Sequence, residues 1–228
     1  MTPKLTKAIG IISYMPDDVE LRAVRFGRLL KLLGECDRLF HNIPVIIIAQ
    51  CWGETDISSE NYHIYRYEKL GIPGARAALR ERFLELGYDY LIMLDDDCEL
   101  SGTSAANYLW QIDRHPGEFG IFRGSLLKLF AISREIYSKV TFPDVDVEKK
   151  QGYEDAVFVY ALKELFPQNY FVFIPQPDHL NEVSDPHFDK FSTWHWEKLE
   201  EERWILSNAN MKAKKDYLAL MKYKLGIK

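Results

Sequence analysis

Three consecutive carboxylates follow directly on an apolar run in the segment YLIMLDDDC, which spans residues 90–98. The run Leu91–Leu94 predicts a buried strand, and Asp95, Asp96 and Asp97 stand where that strand would end. Like charges crowded at a strand terminus repel each other and lose hydration, so something must stabilise them. A solvated turn would explain one aspartate or a pair. Three behind a fully apolar strand favour a divalent cation site.

Two further groups suited to metal or proton chemistry stand at the ends of predicted elements. Glu154 and Asp155 begin a predicted helix, and His179 follows a predicted strand. Mn²⁺ and Mg²⁺ take carboxylate oxygens, and Mn²⁺ also accepts an imidazole. The acidic pair could instead complement the helix dipole, and a lone histidine in a proline-rich loop is commonly a surface or packing residue. These alternatives stay open from sequence, and His187 or His195 could replace His179.

The first half of the chain alternates apolar strands with amphipathic helices. Strands are expected at 9–14, 45–49, 63–67 and 91–94, and helices at 20–33, ended by Gly34, and 75–86, ended by Gly87. Such a pattern predicts an α/β fold with a mostly parallel sheet and helices on both faces. Ligands bind such sheets beyond the carboxyl ends of the strands. We therefore expect Ser13, Tyr14, Gln50 and the aspartates around one crevice.

The second half of the chain is more mixed. Strands are expected at 120–122, 126–132 and 170–174. Helices are expected at 134–140 and, after the segment 151–155, through about residue 165; from Trp194 onward the chain is helical and highly charged. We expect one domain over residues 1–190 and a C-terminal helical extension over residues 191–228.

Composition and charge indicate a globular protein and argue against a generic nucleic-acid-binding one. The 228 residues are 47% hydrophobic, enough for a large core, and the net charge of −5 argues against generic nucleic-acid binding. Cys36, Cys51 and Cys98 form no C-x-x-C motif, which favours a reducing compartment. The apolar run Ala8–Ile12 is too short for a signal peptide or a membrane span. A cytoplasmic location is therefore expected.

The motifs, taken in order, resemble a GT-A glycosyltransferase and are most similar to family 2, whose members are mostly inverting. The similarity covers roughly residues 8–185. It is carried by Leu94–Asp97 as the Asp-x-Asp motif, Gly71–Arg76 as the Gly-x-x-x-Ala-Arg segment, Phe130–Glu135 as the acceptor-side strand with its arginine, Gly152–Asp155 as the Glu-Asp motif, and His179 with Ser184 after the next strand.

The resemblance implies a hexosyltransferase that uses Mn²⁺ or Mg²⁺. It would move one sugar from a nucleotide-diphosphate sugar, with UDP preferred, to a glycan, lipid-linked or protein acceptor with inversion. The resemblance implies that Asp97, Asp95 and His179 bind the metal. It implies that the donor is contacted by Ser13, Tyr14, Gln50, Arg76, Asp95 and Asp96, with Arg76 on the diphosphate. Asp155 would be the base, and Glu154 would bind the acceptor or exchange roles with it.

The chain departs from the family pattern after its second strand. Acidic residues commonly contact the nucleotide base there, whereas this chain has AQCWG over 49–53, so Gln50 or Trp52 would make that contact. The Gln-x-x-Arg-Trp motif of processive synthases is absent from the sequence, which favours single addition. Two alternatives remain: a metal-dependent nucleotidyltransferase, and a catalytically silent subunit that binds a nucleotide sugar.

Residues 212–228 carry six lysines and one aspartate, beside apolar residues at helical spacing: Tyr217, Leu218, Met221 and Leu225. We expect a final helix that packs through this stripe and leaves its lysines solvated. The alternative is a weak contact with an anionic membrane, which would place the protein peripherally on the inner face.

Overall fold

The computed structural model describes residues 5–53, 57–96, 102–122, 125–143, 153–173 and 199–227. Its elements are β1 (Lys7–Tyr14), α1 (Val19–Leu39), β2 (Val45–Gln50), β3 (Tyr62–Tyr67), α2 (Gly71–Leu86), β4 (Tyr90–Asp95), α3 (Gly102–Arg114), β5 (Phe119–Phe122), β6 (Ser125–Ser133), α4 (Arg134–Lys139), α5 (Tyr153–Leu165), β7 (Tyr170–Phe173) and α6 (Leu199–Leu225).

The strands form one seven-stranded sheet in the order β3-β2-β1-β4-β6-β5-β7. β1 pairs in parallel with both β2 and β4, β2 with β3, and β5 with β7. β6 is antiparallel to its neighbours β4 and β5. The predicted α/β class with a mostly parallel sheet is confirmed. Because the chain passes from β1 to β2 on one side and later to β4 on the other, the ends of β1 and β4 flank a topological switch point.

Helices cover both faces of this sheet, as predicted. On one face, Ile9 and Ile11 of β1 share a buried cluster with Leu32 of α1 and with Tyr108 and Ile112 of α3. Burying each large aliphatic side chain contributes about 1.5–3 kcal/mol. α2 packs on the opposite face, so close to β1 that a Cβ on Gly10 would lie 2.9 Å from Leu79 Cδ2. Only glycine fits there without a shift of its neighbours.

Helix α1 is longer than the sequence predicts. Gly34 was expected to end it, but the helix continues to Leu39. Leu32, Leu33 and Cys36 are all buried, so the apolar stripe continues past the glycine and keeps the last turns on the core. That prediction is therefore wrong, because packing decides the end of this helix.

Helix α2 ends where predicted. Gly87 has φ 82°, the left-handed conformation of a helix C-cap, and its N–H donates to Phe83 O. The Arg134 guanidinium donates to Gly87 O at 3.3 Å and to Leu84 O at 3.2 Å. It therefore satisfies carbonyls at the negative end of the helix dipole.

The chain divides into two compact units. The first comprises residues 1–142 and 168–181, and the second comprises residues 143–167 and 182–228. The second unit contains α5 and α6, where the Lys214 Nζ lies 5.6 Å from the centroid of the Tyr160 ring. This division groups α5 with the C-terminal helix, and the proposed boundary after residue 190 stays a prediction. Across the described ranges, no helix has the length and apolar character needed to cross a membrane.

Candidate functional site

The sheet register brings the carboxyl ends of three strands to one edge. Ile12 of β1 lies opposite Asp95 of β4, and Tyr14 of β1 lies opposite Gln50 of β2. Because these strands run in parallel, the groups that follow their last residues share the same side of the molecule. The predicted donor residues Ser13, Tyr14, Gln50 and Asp95 are therefore neighbours along this edge.

Asp95 is held by a buried arginine. Arg76 Nη2 donates to Asp95 Oδ1 at 2.9 Å, and the side chains are 2% and 27% exposed respectively. Arg76 Nη1 lies 3.6 Å from Met93 Sδ, and the guanidinium carbon lies 6.0 Å from the centroid of the Phe142 ring. A guanidinium in such apolar surroundings needs a carboxylate partner. The pair therefore fixes the orientation of the carboxylate at the mouth of the strand.

The remaining acidic residues are only partly within the described ranges. Asp96 is half-buried in the turn after β4, and Asp97 lies outside the described residues. Among the residues that the structure describes, no group of three or more His, Cys, Asp or Glu could hold a metal ion. Asp95 and Asp96 nonetheless offer carboxylate oxygens, which are the ligands that Mg²⁺ and Mn²⁺ prefer.

Gln50 fastens β2 to the start of α2. Its side chain is 3% exposed, and its Oε1 accepts a hydrogen bond from Leu70 N at 2.9 Å. Gly71 follows with φ 70°, a left-handed conformation that lets the chain turn into the helix. The side-chain carbonyl of Gln50 is therefore committed to the protein itself, and its contact with a nucleotide stays a prediction.

Ser13 and Tyr14 differ in their surroundings. Ser13 is fully buried, and its Oγ has no hydrogen-bond partner within the described structure. Tyr14 is half-buried, with the Lys69 Nζ 5.7 Å from its ring centroid. An unsatisfied buried hydroxyl is costly, which makes Ser13 unusual for a residue with only a packing role.

A cleft of about 560 Å³ opens beyond the ends of β2 and β3, lined by Cys51, Trp52, Gly53, Arg66, Tyr67 and Glu68. The Arg66 guanidinium lies 5.9 Å from the Trp52 ring centroid, and its Nη1 donates to Gly53 O at 3.2 Å. Cys51 and Gly53 have φ of 56° and 61°, so the loop turns sharply to form this wall.

A second arginine also supports this loop. Arg22 of α1 donates through Nη2 to Cys51 O at 3.3 Å and through Nε to Pro16 O at 2.9 Å. These bonds tie the loop after β2 to the loop after β1. The cleft wall is thus held by two guanidinium groups.

Sequence reasoning missed Arg66, Tyr67 and Glu68 as lining residues. The signal was present, because β3 was predicted over 63–67 and these residues stand at its carboxyl end. The strand-end argument that selected Gln50 applies equally to them. Trp52, considered only as a contact for the base, is 2% exposed and forms part of the core.

The proposed catalytic groups are not tested by the described geometry. Glu154 and Asp155 are the second and third residues of α5, where the description covers the backbone alone. His179 and Ser184 lie outside the described ranges, as do His187 and His195. Their roles stay predictions.

No protein-family model matches the sequence, and no curated protein matches it. Solved structures do share its fold. S. aureus TarS 1–349 superimposes with a TM-score of 0.56 and 13% identity, over 77% of this chain and 59% of that one. The mannosyltransferase PcManGT from Pyrobaculum calidifontis, solved with GDP-Man and Mn²⁺, gives a TM-score of 0.54 and 14% identity, over 83% and 60%.

A third neighbour is a Bacillus anthracis protein assigned as a glucose-1-phosphate thymidylyltransferase, solved with sucrose. It has a TM-score of 0.52 and 8% identity, over 78% of this chain and 89% of that one. TarS has also been solved with UDP and with UDP-GlcNAc. At these identities the likeness establishes the fold, and the predicted GT-A architecture is confirmed. The chain spans about 59% of the TarS fragment and 60% of the mannosyltransferase.

Proposed function

We propose that this chain is an inverting glycosyltransferase that transfers one hexose from a nucleotide-diphosphate sugar to an acceptor hydroxyl. The observation that carries the proposal is Asp95, oriented by Arg76 at the end of β4 and next to the end of β1 on a GT-A sheet. UDP is the preferred nucleotide, and the acceptor is a glycan, a lipid-linked sugar or a protein.

The cleft beyond β2 and β3 is the proposed place for the nucleotide base. Arg66 is exposed and Tyr67 half-buried, so both offer planar groups on which a base can stack. Glu68 supplies an exposed carboxylate that can accept a hydrogen bond from a base N–H. These residues would replace the acidic residues that the family commonly has after its second strand.

The acidic end of β4 is the proposed place for the diphosphate and its cation. Asp97, with Asp95 and His179, would hold a Mn²⁺ or Mg²⁺ ion, and Asp96 would support the site. When bound, the cation neutralises charge on the departing diphosphate. Arg76 was expected on the diphosphate, but its burial and its bond to Asp95 support a positioning role.

Asp155 is the proposed general base. It would accept the proton of the acceptor hydroxyl while the acceptor oxygen forms a bond to the anomeric carbon from the face opposite the diphosphate. The bond between that carbon and the diphosphate oxygen breaks, and its electron pair leaves with the nucleoside diphosphate. Glu154 would orient the acceptor, or the two carboxylates could exchange roles.

A nucleotidyltransferase is the second candidate, since the thymidylyltransferase-like neighbour has the same fold. The two reactions differ in the bond that breaks. A nucleotidyltransferase releases pyrophosphate, and a glycosyltransferase releases a nucleoside diphosphate. A silent binding subunit would release neither.

The proposal is tested by donor binding followed by product analysis. UDP-GlcNAc, UDP-Glc and GDP-Man are added with and without Mn²⁺ in a thermal-shift screen, and the stabilising donor is then incubated with the protein alone. We expect one donor to raise Tm only with Mn²⁺, and slow release of its nucleoside diphosphate. Pyrophosphate release from a nucleoside triphosphate and a sugar phosphate would instead identify a nucleotidyltransferase.

Two matched variants separate binding from chemistry. Asp97→Asn should lose both the metal-dependent Tm shift and turnover, because it removes a ligand charge. Asp155→Asn should keep the Tm shift and lose about two to four orders of magnitude in turnover, the usual scale for a general base. Full activity of Asp97→Asn in saturating Mn²⁺ would refute the metal assignment.

A further inference from the structure

The C-terminal helix α6 uses the predicted apolar stripe for packing inside its own compact unit. Tyr217 is 8% exposed and Met221 is 1% exposed, and Leu218 and Leu225 are half-buried. Lys214 lies over the ring of Tyr160 of α5 on this same side. The stripe therefore packs against protein, as expected from the sequence.

A second apolar stripe remains exposed on α6. Leu220 is 48% exposed, Tyr223 is 84% exposed and Ile227 is 44% exposed. Leu220 and Tyr223 are three residues apart and lie on one side of the helix, and Ile227 follows the glycine that ends it. Single exposed apolar residues are ordinary in proteins, but three at the same helix end form a patch that calls for a partner.

The helix end that carries this patch is well ordered by its cap. Gly226 has φ 67° and its N–H donates to Tyr223 O at 3.2 Å, while Ile227 N donates to Lys222 O at 2.9 Å. This pair of bonds is a Schellman motif, which ends a helix in a fixed direction. The backbone of Ile227 is thereby fixed at the last turn of the helix.

Charge around the patch is strongly positive, although the whole chain carries −5. Residues 212–228 contain six lysines and one aspartate, Asp216, which lies four residues after Lys212 and four before Leu220. Lys212, Lys215 and Lys224 are exposed. Lysines near a helix C-terminus also complement its dipole, but that does not account for exposed Leu220, Tyr223 and Ile227.

We infer that this face of α6 binds the surface of an anionic lipid bilayer. Leu220 and Ile227 would enter the boundary between head groups and acyl chains, and Tyr223 would lie at head-group level with its hydroxyl towards water. The exposed lysines have stems long enough to contact the apolar surface while their ammonium groups reach lipid phosphates. This inference does not depend on the proposed transferase activity.

Co-sedimentation of the full chain with vesicles tests the inference. Phosphatidylglycerol-rich and pure phosphatidylcholine vesicles are compared at about 0.01 M and about 1 M salt, between which the Debye length falls from roughly 30 to roughly 3 Å. We expect binding to the anionic vesicles at low salt only. Tyr223→Ser with Ile227→Ser should lower the partition coefficient at least about tenfold. Lys212→Gln, Lys215→Gln and Lys224→Gln should each lower it by about fivefold.

The matched control replaces exposed apolar residues on another helix. Val24 and Leu30 of α1 are 50% and 45% exposed, and Val24→Ser with Leu30→Ser should sediment like the parent. Circular dichroism confirms that each variant is folded. Absence of binding at low salt, equal binding to neutral vesicles, or parent-like binding by Tyr223→Ser/Ile227→Ser would overturn the inference. A dimer that forms without vesicles and is dissociated by Tyr223→Ser/Ile227→Ser would also overturn the inference, because it would show that this face of α6 binds a second copy of the chain.

Discussion

At the scale of single residues, the contact between Arg76 and Asp95 determines how the candidate site is built. The arginine is 2% exposed, so its charge is out of reach of bulk water and depends on the carboxylate it holds. The same bond fixes the orientation of the Asp95 carboxylate. The residue predicted to contact the diphosphate thus holds a neighbouring carboxylate in the structure.

This pair gives a stability prediction that is independent of catalysis. Arg76→Met should lower the free energy of unfolding by about 2–4 kcal/mol, below the usual range for a fully buried pair because Asp95 is partly exposed. Adding Asp95→Asn should recover part of that loss, since the unpaired carboxylate is then neutral. Urea unfolding of the parent, both single variants and the double variant measures the coupling. Strictly additive losses would contradict the pairing.

The acidic strand end was predictable, but the partner of Asp95 was not. A polar cluster after an apolar run marks the end of a buried strand, which the sequence displays directly at Asp95. Arg76 stands 19 residues earlier on α2, and its position against Asp95 depends on how that helix docks on the sheet. Likewise the bond from Leu70 N to Gln50 Oε1, which joins β2 to the start of α2, was not predictable from sequence.

At the scale of elements, α1 contains two internal glycines without a packing reason within the described structure. A Cβ on Gly27 or Gly34 would meet nothing within 4 Å. Glycine within a helix costs roughly 0.5–1 kcal/mol relative to alanine, because the unfolded chain is more flexible. Both positions should therefore accept alanine with a gain in stability.

Gly27→Ala and Gly34→Ala should each raise the free energy of unfolding by about 0.5–1 kcal/mol. For a chain of this length, thermal unfolding should shift upward by roughly 1–4 °C per substitution.

Gly10→Ala is the control, because its Cβ would lie 2.9 Å from both Leu79 Cδ2 and Leu91 Cδ1 and should lower stability. A loss of stability in Gly34→Ala would contradict the open helical environment assigned to this glycine.

Glycine illustrates what sequence can and cannot predict about helix ends. Gly34 and Gly87 both come after amphipathic stretches, yet only Gly87 adopts a left-handed conformation. The difference lies in the residues on the C-terminal side of each glycine. Apolar residues continue to face the core after Gly34, whereas β4 begins soon after Gly87. Helix α3 was missed altogether, although Ala105, Tyr108 and Ile112 carry a helical spacing of buried residues.

At the scale of the whole molecule, one carboxylate links the chain's beginning to the middle of the sheet. Asp89 Oδ2 accepts from Thr6 N at 2.8 Å and from Thr6 Oγ1 at 2.7 Å, and Arg134 N donates to Asp89 O at 2.7 Å. The bonds from the backbone N–H and the hydroxyl of Thr6 hold the pKa of Asp89 below its usual value.

This pKa shift predicts how stability depends on pH. Because the folded pKa is below the unfolded one, the contribution is complete above the unfolded pKa and is lost as pH falls through the folded pKa. Asp89→Asn should be about 1 kcal/mol less stable than the parent at neutral pH, since the site is exposed and screened. Urea unfolding should show that this deficit shrinks as the pH is lowered into the acid range. A deficit that stays constant with pH would contradict the assignment.

The interrupted first unit has a consequence for synthesis on the ribosome. Its sheet includes β7, yet the chain leaves this unit at residue 142 and returns only at residue 168. At about 10 residues per second, a few seconds pass between the emergence of β6 and that of β7. During that interval the outer edge of β5 has no partner strand, and the space that Phe171 and Phe173 will fill is open. Until β7 emerges, the unpaired edge of β5 in the growing chain must be kept from pairing with strands of other chains.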